Sequence, residues 1–204
     1  YLAEQNGVPT INGYFEDEST VSQITQEADL VTAFNVFAHS DNLEQITQNA
    51  FDIMKPSGHF VIEVQYLYNT LKDVTFDNIY HEHYNYWSLT SLIMFFDKLN
   101  ATIYKAEKIE THGGSLRIYV KSSKKTKVER SVKLILEEEE KFGIKKYQTY
   151  QNFSKKVYKI RDNVRKNIFK LKRQKKNQST MYLKPFGKIK CYIRRTFNGN
   201  DYVT

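Results

Sequence analysis

Cysteine is nearly absent from this 204-residue sequence, and long apolar runs are missing altogether. The single Cys191 excludes an intramolecular disulfide and any zinc site built from several cysteines. No run of about 18 apolar residues occurs, so the sequence predicts no membrane partner. The opening Tyr1-Leu-Ala-Glu4 has neither the basic flank nor the apolar stretch of a signal peptide. These features favour a cytoplasmic location, and because residue 1 is not Met we expect the chain to begin inside a longer protein.

Charge is distributed unevenly along the chain. Residues 1–120 carry 6 Lys/Arg and 16 Asp/Glu, a balance of −10, whereas residues 121–204 carry 25 and 7, a balance of +18. A basic half can attract nucleic acid, so a nucleic-acid-binding or RNA-modifying protein is one candidate class. A solvated lysine-rich surface explains the same composition. Because the aromatic residues between 147 and 171 follow a helical stripe, as core residues do, nucleic acid is the less favoured partner.

The first 120 residues alternate between strand and helix patterns. Apolar runs predict a buried strand over 29–37 and a second strand over 60–64. A helix is predicted between these two strands. Asp41 and Asn42 are candidate caps at its start, and Pro56-Ser-Gly58 ends it. Strand, helix and strand form one βαβ unit, which indicates a parallel sheet and an α/β fold. Four further elements are predicted: strands over 7–11, 101–108 and 115–121, and a helix capped by Ser88.

Beyond residue 121 the apolar period becomes helical. It predicts one helix over 128–142 and, after Gly143, a second whose apolar residues recur every three or four positions as far as Leu171. That stripe requires a partner surface, either the α/β part or another chain. From Ser179 onward no clear period remains.

The segment Tyr80-His-Glu-His-Tyr84 concentrates groups that can move protons near neutral pH. It lies in a polar connector between a strand and a capped helix, where α/β folds place their sites. Proton transfer is one interpretation. A zinc site is a second, with His39 or His112 as a further ligand. A structural role, with aromatic and His residues capping a sheet, is the third, and the spacing leaves all three open.

Two other segments carry candidate ligand contacts. His39 and Asn35 follow the first strand of the βαβ unit, near the carboxyl edge where parallel sheets bind ligands. The segment His112-Gly-Gly-Ser-Leu-Arg117 has a glycine pair that permits close approach of the backbone to an anion. Each has a plain structural explanation too, capping or packing for His39 and an ordinary turn for the glycine pair.

Together, three segments resemble the sugar C-methyltransferases that modify nucleotide-linked 4-keto-deoxysugars: Asn35-Val-Phe-Ala-His39, Phe76-Asp-Asn-Ile-Tyr-His-Glu-His83 and His112-Gly-Gly-Ser-Leu-Arg117. The resemblance extends over residues 1–170 in order and spacing. It implies a partial Rossmann-like SAM-dependent methyltransferase domain followed by long helices. It also implies a reaction in which a base forms an enolate, and the methyl group of SAM moves to the carbon beside the ketone.

The resemblance also assigns roles to single residues. The catalytic group consists of the base His83 with Glu82 and Tyr80, and we expect Glu82 and His83 to act as a pair if the segment turns. The residues that would contact the sugar are Asn35, His39, His112 and Arg117. The residues that would contact SAM are Tyr14, Phe15 and Asn35.

Family members begin with a cysteine-rich zinc-binding domain and a Gly-rich loop that holds SAM, and this sequence contains neither. We therefore expect zinc only in that missing part, no metal here, and weak SAM binding, so that this chain alone is inactive as a methyltransferase. The expected domains are 1–122, the C-terminal part of the Rossmann-like domain; 123–178, a helical segment leading into an incomplete C-terminal domain; and 179–204, an irregular basic tail that is disordered or frame-shifted.

Two alternatives stand beside this interpretation. One is a non-catalytic fragment whose long helix pairs with another chain. The other is an O-methyltransferase of the same fold, which attacks through oxygen and needs no ketone. The sequence predicts no oligomeric state and no particular sugar.

Overall fold

The structure is a computed structural model that describes residues 2–173, 179–183 and 189–193. The chain divides into two compact units, Tyr1–Phe153 and Ser154–Thr204. The seven helices of the described residues are α1 (Leu2–Gln5), α2 (Glu18–Val21), α3 (Leu43–Asp52), α4 (Leu67–Asp73), α5 (Leu89–Lys98), α6 (Arg130–Phe142) and α7 (Tyr147–Arg173). None of these helices is both long and apolar enough to cross a membrane.

A mixed sheet forms the centre of the first unit. Its strands are β1 (Ala28–Phe34), β2 (Met54–Gln65), β3 (Thr102–Ile109) and β4 (Ser115–Lys121), in the spatial order β1-β2-β4-β3. The strands β1 and β2 pair in parallel, with α3 between them in the chain, so the predicted βαβ unit is confirmed. The strand β4 pairs antiparallel with both β2 and β3. The predicted α/β class is therefore confirmed.

The strand β1 is an edge strand, although its apolar sequence predicts a buried one. Leu30 is 56% exposed and Phe34 is 45% exposed. The reason is that, among the described residues, β1 has a neighbouring strand on one side only. The strand β1 also ends at Phe34, three residues before the predicted end at residue 37, because Asn35 adopts a left-handed conformation with φ of 56°.

The segment Pro56-Ser-Gly58 lies inside β2 rather than at the end of α3. The helix already ends at Asp52, and β2 begins at Met54. The pairing with β1 moves from Ala28–Met54 to Leu30–His59, so the intervening residues of β2 form a bulge. The predicted strand over 7–11 is also wrong, because residues 8–12 form neither strand nor helix.

Elements with strong local signals match their predictions. The Ser88 hydroxyl accepts a hydrogen bond from the Ser91 backbone N–H at 3.1 Å and caps α5. In β4 the alternating residues Leu116, Ile118 and Val120 are fully buried. The compact unit continues past residue 122, because α6 adds Val132 and Ile135 to the same core.

A fully buried carboxylate on α6 joins three elements of this unit. Glu139 Oε1 accepts hydrogen bonds from the Tyr66 hydroxyl at 2.8 Å and from Leu89 N–H at 2.6 Å. Its Oε2 accepts from Thr90 N–H at 2.9 Å and from the Thr90 hydroxyl at 2.6 Å. Burial and the Glu139 carboxylate raise the pKa of Tyr66, which keeps this phenol protonated as a donor. Glu139 thus links the chain after β2 to the start of α5.

The second unit contains most of α7 and a short strand pair. Apolar residues of the predicted stripe are exposed there, Val164 by 50% and Ile168 by 45%. Strands β5 (Ser179–Leu183) and β6 (Ile189–Ile193) pair antiparallel, whereas the sequence predicts an irregular tail. Both are short runs rich in apolar and aromatic residues, which can pair as strands despite their lack of regular alternation. The remaining residues of the predicted tail lie outside the described ranges.

Replacing Glu139 by Ala is expected to lower the free energy of unfolding by about 2–4 kcal/mol, because it leaves buried donors without an acceptor. Urea unfolding followed by circular dichroism measures the change. The matched control is Glu140→Ala, an exposed residue of the same helix, for which a change within about 0.5 kcal/mol is expected. Equal effects of the two substitutions would contradict a special role for the buried carboxylate.

Candidate active site

Two connectors meet beyond the carboxyl ends of β1 and β2. One follows β1 and contains a 3-10 turn over Phe37–His39. The other joins α4 to α5 and contains the Tyr-His-Glu-His-Tyr segment. Tyr84 N–H donates to the Ala38 carbonyl at 3.0 Å, and the His39 ring bonds to the Glu82 carbonyl at 2.9 Å. These bonds hold together two segments that lie more than 40 residues apart in the sequence.

His39 and His83 lie side by side. Their ring centroids are 4.8 Å apart, and the Tyr80 ring lies 4.4 Å from the ring of His83. The resemblance places both His39 and His83 at the sugar, and the proximity that this implies is confirmed, while their roles stay predictions.

Backbone carbonyls fix the protonation pattern of both rings. His39 Nδ1 is bonded to the Glu82 carbonyl, and His83 Nδ1 lies 2.9 Å from the Asn78 carbonyl. A carbonyl oxygen can only accept, so each Nδ1 carries the hydrogen. In the neutral rings this leaves Nε2 with a free lone pair. His83 is thereby prepared to accept a proton at Nε2.

Glu82 contributes its backbone rather than its carboxylate to this arrangement. The segment does turn, as the predicted pairing requires, with residues 81 and 82 in a turn. The nearest basic group to the Glu82 carboxylate is Nε2 of His81, at 4.0 Å. The Asn78 carbonyl accepts from Nδ1 of His83, and the expected pairing of Glu82 with His83 stays a prediction.

The two histidines line a polar cavity of about 400 Å³. Its other lining residues are Asn35, Ala38, Val64, Gln65, Asn78 and Tyr80. A cavity of this size suits a small polar molecule. Three predicted sugar or catalytic residues besides His83, namely Asn35, His39 and Tyr80, thus share one space.

His39 also lines an apolar cavity of about 390 Å³. Tyr14 and Phe15, the predicted SAM contacts, line it together with Val31, Phe37 and Ile46. Asn35 lines the polar cavity, so its predicted contact with SAM stays a prediction. His39 lines both cavities.

Arg117 is held at the sheet by Glu63. It lies opposite Glu63 in the pairing of β4 with β2, and its Nε and Nη2 donate to Glu63 Oε2 at 3.0 and 2.7 Å. The Thr111 hydroxyl donates to the other oxygen of Glu63 at 2.9 Å. This bonding raises the pKa of Arg117 and gives its guanidinium a structural partner. Its predicted contact with the sugar stays a prediction.

The turn that contains His112 fits tightly against α4. Its backbone forms a 3-10 turn over Thr111–Gly113, and the His112 side chain lies outside the described part of the structure. Gly114 has φ of 108°, and a Cβ atom there would lie 1.9 Å from the Asn69 amide nitrogen. Glycine is therefore required for packing at this position.

Among the side chains that the structure describes, no three His, Cys, Asp or Glu groups converge as metal ligands. The zinc interpretation of the His-x-His segment has no ligand set within that part of the chain.

Sequence reasoning missed Gln65 and Asn78. Gln65 is the last residue of β2 and lines the polar cavity. The rule that ligands bind at the carboxyl ends of parallel strands could have identified it, since it ends the second strand of the βαβ unit. The Asn78 carbonyl acts through the backbone, so its residue type gives no signal.

Comparison with known proteins identifies the class to which this fold and site belong. The family model of the methyltransferase domain matches residues 5–106, half of the chain, and the chain belongs to this family. The family model of the C-methyltransferase C-terminal domain matches residues 110–180.

The chain is also similar to individual proteins. The C-methyltransferase NovU of Streptomyces niveus is 31% identical over 156 residues, which are 75% of this chain and 37% of NovU. The chain thus spans little more than a third of that curated relative. A SAM-dependent methyltransferase from Thermotoga maritima, described as a possible histamine N-methyltransferase, aligns with a TM-score of 0.47 and 13% identity over 60% of this chain and 67% of its own. An O-methyltransferase family protein from Burkholderia thailandensis aligns with a TM-score of 0.42 and 12% identity. The alignment covers 61% of this chain and 39% of that protein.

We expect His39 and His83 to keep hydrogen on Nδ1 when neutral, because a backbone carbonyl accepts from that nitrogen in each ring. Two-dimensional proton–nitrogen NMR of the imidazoles distinguishes the two tautomers directly. His81 is the internal control, since its side chain is 88% exposed and it should show the tautomer mixture of free histidine. A protonated Nε2 on neutral His83 would contradict the assignment.

Proposed function

We propose that this chain belongs to a SAM-dependent C-methyltransferase that methylates a carbon next to the ketone of a nucleotide-linked deoxysugar. The observation that carries the proposal is the position of His39. His39 lines both a polar cavity, which contains a candidate base, and an apolar cavity of similar volume. Transfer of a methyl group to carbon requires this kind of arrangement, with the acceptor and the donor in adjoining spaces.

The polar cavity supplies the groups that form a carbon nucleophile. A ketone acidifies its neighbouring C–H, and Nε2 of His83 has the lone pair to take that proton. The Tyr80 hydroxyl and the Asn35 amide can donate to the ketone oxygen, where negative charge develops. A positioned base of this kind typically contributes about 10²–10⁴-fold to the rate.

The apolar cavity fits the cofactor of the family. Phe15 and Phe37 offer aromatic surface, and Val31 and Ile46 offer aliphatic surface, for a largely uncharged part of SAM. SAM, when bound, supplies the electrophilic methyl group that the enolate carbon takes. His39 would then contact both ligands and fix the distance between them.

Two comparisons support carbon as the acceptor atom. The match to the C-methyltransferase C-terminal domain includes the Gly113-Gly114 turn and β4. The relative NovU carries the name C-methyltransferase. An O-methyltransferase would use a base too, but it would have no reason to remove a proton from carbon.

The proposal is tested by exchange of the ketone-adjacent proton in deuterated water. Exchange needs proton removal alone, so the 204-residue chain can be assayed without SAM. With a nucleotide-linked 4-keto-6-deoxyglucose, proton NMR should show catalysed loss of the signal. His83→Ala should slow this exchange by about 100-fold or more, because the base is removed.

The matched control is His81→Ala, which removes an imidazole two residues away whose side chain is 88% exposed. It should exchange at the wild-type rate. Normal exchange in His83→Ala would assign the base elsewhere, with His39 or Tyr80 next. If the wild-type chain binds the sugar but catalyses no exchange, the proposed removal of the ketone-adjacent proton is contradicted.

A further inference from the structure

The side-chain amide of Gln65 is turned so that its oxygen is buried in the protein. Gln65 is half-buried and lines the polar cavity, yet its Oε1 is buried and has no hydrogen-bond partner. The accessible end of the amide is Nε2, which has no hydrogen bond to any of the described residues. An N–H donor without a protein partner thus borders the cavity that contains the candidate base.

Burial of the oxygen is the better of the two placements that this amide can adopt. The reverse placement would bury two N–H hydrogens, and each would need an acceptor. Orphaned buried donors are rarer in folded proteins than under-satisfied carbonyl oxygens. The buried, unpaired oxygen still costs stability, and departures of this kind are typical of functional sites. The donor end of the amide is therefore the end that a ligand in the cavity meets.

The backbone that carries Gln65 is fixed on both sides. Gln65 pairs with Ser115 in the antiparallel ladder between β2 and β4. The next residue, Tyr66, is fully buried and donates its hydroxyl to Glu139 and its N–H to the Gly114 carbonyl at 3.1 Å. A donor on so rigid a support is in place before the reaction begins, which is the condition for effective electrostatic stabilisation of a transition state.

The polar cavity needs donors, because its two imidazoles are acceptors when neutral. His39 and His83 both give the Nδ1 hydrogen to a backbone carbonyl, so the free Nε2 of each neutral ring can only accept. Neither neutral ring can stabilise a negatively charged oxygen. Asn35 and Tyr80 can donate, but both are exposed residues of connectors, whereas Gln65 belongs to the sheet.

We propose that Gln65 is a catalytic residue whose Nε2 donates a hydrogen bond to the ketone oxygen and stabilises the negative charge of the enolate. The inference rests on the proposed function, because it takes the keto-sugar to be the occupant of this cavity. In the step, Nε2 of His83 takes the proton from the carbon next to the ketone. The C–H electron pair becomes the carbon–carbon double bond, and the carbonyl π pair moves to the oxygen that Gln65 contacts.

The test is exchange of the ketone-adjacent proton in deuterated water, on the full 204-residue chain without SAM. The probe is a nucleotide-linked 4-keto-6-deoxyglucose. Gln65→Met should lower kcat for exchange about 100-fold, the effect of losing one donor to a developing oxyanion, and should leave KM within about 3-fold. Gln65→Glu keeps the volume but presents an acceptor, so it should slow the exchange at least as much.

Carbon NMR of a probe labelled at the ketone carbon separates this role from a structural one. A hydrogen bond to the ketone oxygen deshields this carbon, so its signal should move downfield on binding to the wild type and move less on binding to Gln65→Met. The melting temperature of Gln65→Met should equal or exceed that of the wild type, because the change removes an unpaired buried acceptor at nearly equal volume.

The matched control is Gln48→Met, the same change at an exposed position of α3. It should leave kcat and the ketone signal unchanged. Three results would overturn the inference. A raised KM with unchanged kcat in Gln65→Met would mean that Nε2 contacts a sugar hydroxyl. Exchange at the wild-type rate in Gln65→Glu would mean that no donor is needed there. A lowered melting temperature with an unchanged ketone signal would mean that Gln65 serves the fold.

The two proposals fail in different ways. If the wild type exchanges the ketone-adjacent proton and Gln65→Met does so with the same kcat, the role of Gln65 is wrong and the proposed function stands. If the wild type catalyses no exchange of this proton, both are wrong.

Discussion

The rest of the site depends on the carboxylate of Glu139. It binds the Tyr66 hydroxyl at the end of β2 and the first two N–H groups of α5. The connector that contains His83 runs up to that helix, and Gln65 directly precedes Tyr66. Four donors around one buried charge offset the cost of removing it from water, and the charge is favourably placed at a helix N-terminus. The Glu139 carboxylate therefore fixes both the start of α5, to which the connector with His83 leads, and the residue that follows Gln65.

The candidate base is oriented by the course of the backbone. Carboxylates commonly orient catalytic histidines, but here the carbonyls of Asn78 and Glu82 take the Nδ1 hydrogens of His83 and His39. A carbonyl is neutral, so it fixes the tautomer without placing a full negative charge beside the ring. The tight turn of the Tyr-His-Glu-His segment is what brings these carbonyls into reach. The Tyr-His-Glu-His segment therefore contributes through the turn of its backbone as well as through its side chains.

Local signals made part of this molecule predictable. The alternation in β4 and the capping of α5 by Ser88 depend on residues close in sequence, and both predictions were confirmed. The edge position of β1 and the bulge at Pro56 depend on which strands lie alongside, and these were missed. The same division holds in the site. The family resemblance predicted that His39 and His83 share a site, whereas the pairing of Arg117 with Glu63 follows from the insertion of β4 beside β2, which no local pattern encodes.

His39, which lines both cavities, is anchored by the aromatic core. Asn35 takes the left-handed conformation, which costs an Asn less than most residues, and turns the chain out of β1. Phe37 then enters the core against Phe60 and Phe96, with ring centroids 6.3 Å away in each case. His39 follows in the same 3-10 turn, so a buried phenylalanine two residues earlier anchors it. This anchor holds His39 in its place through packing within the core.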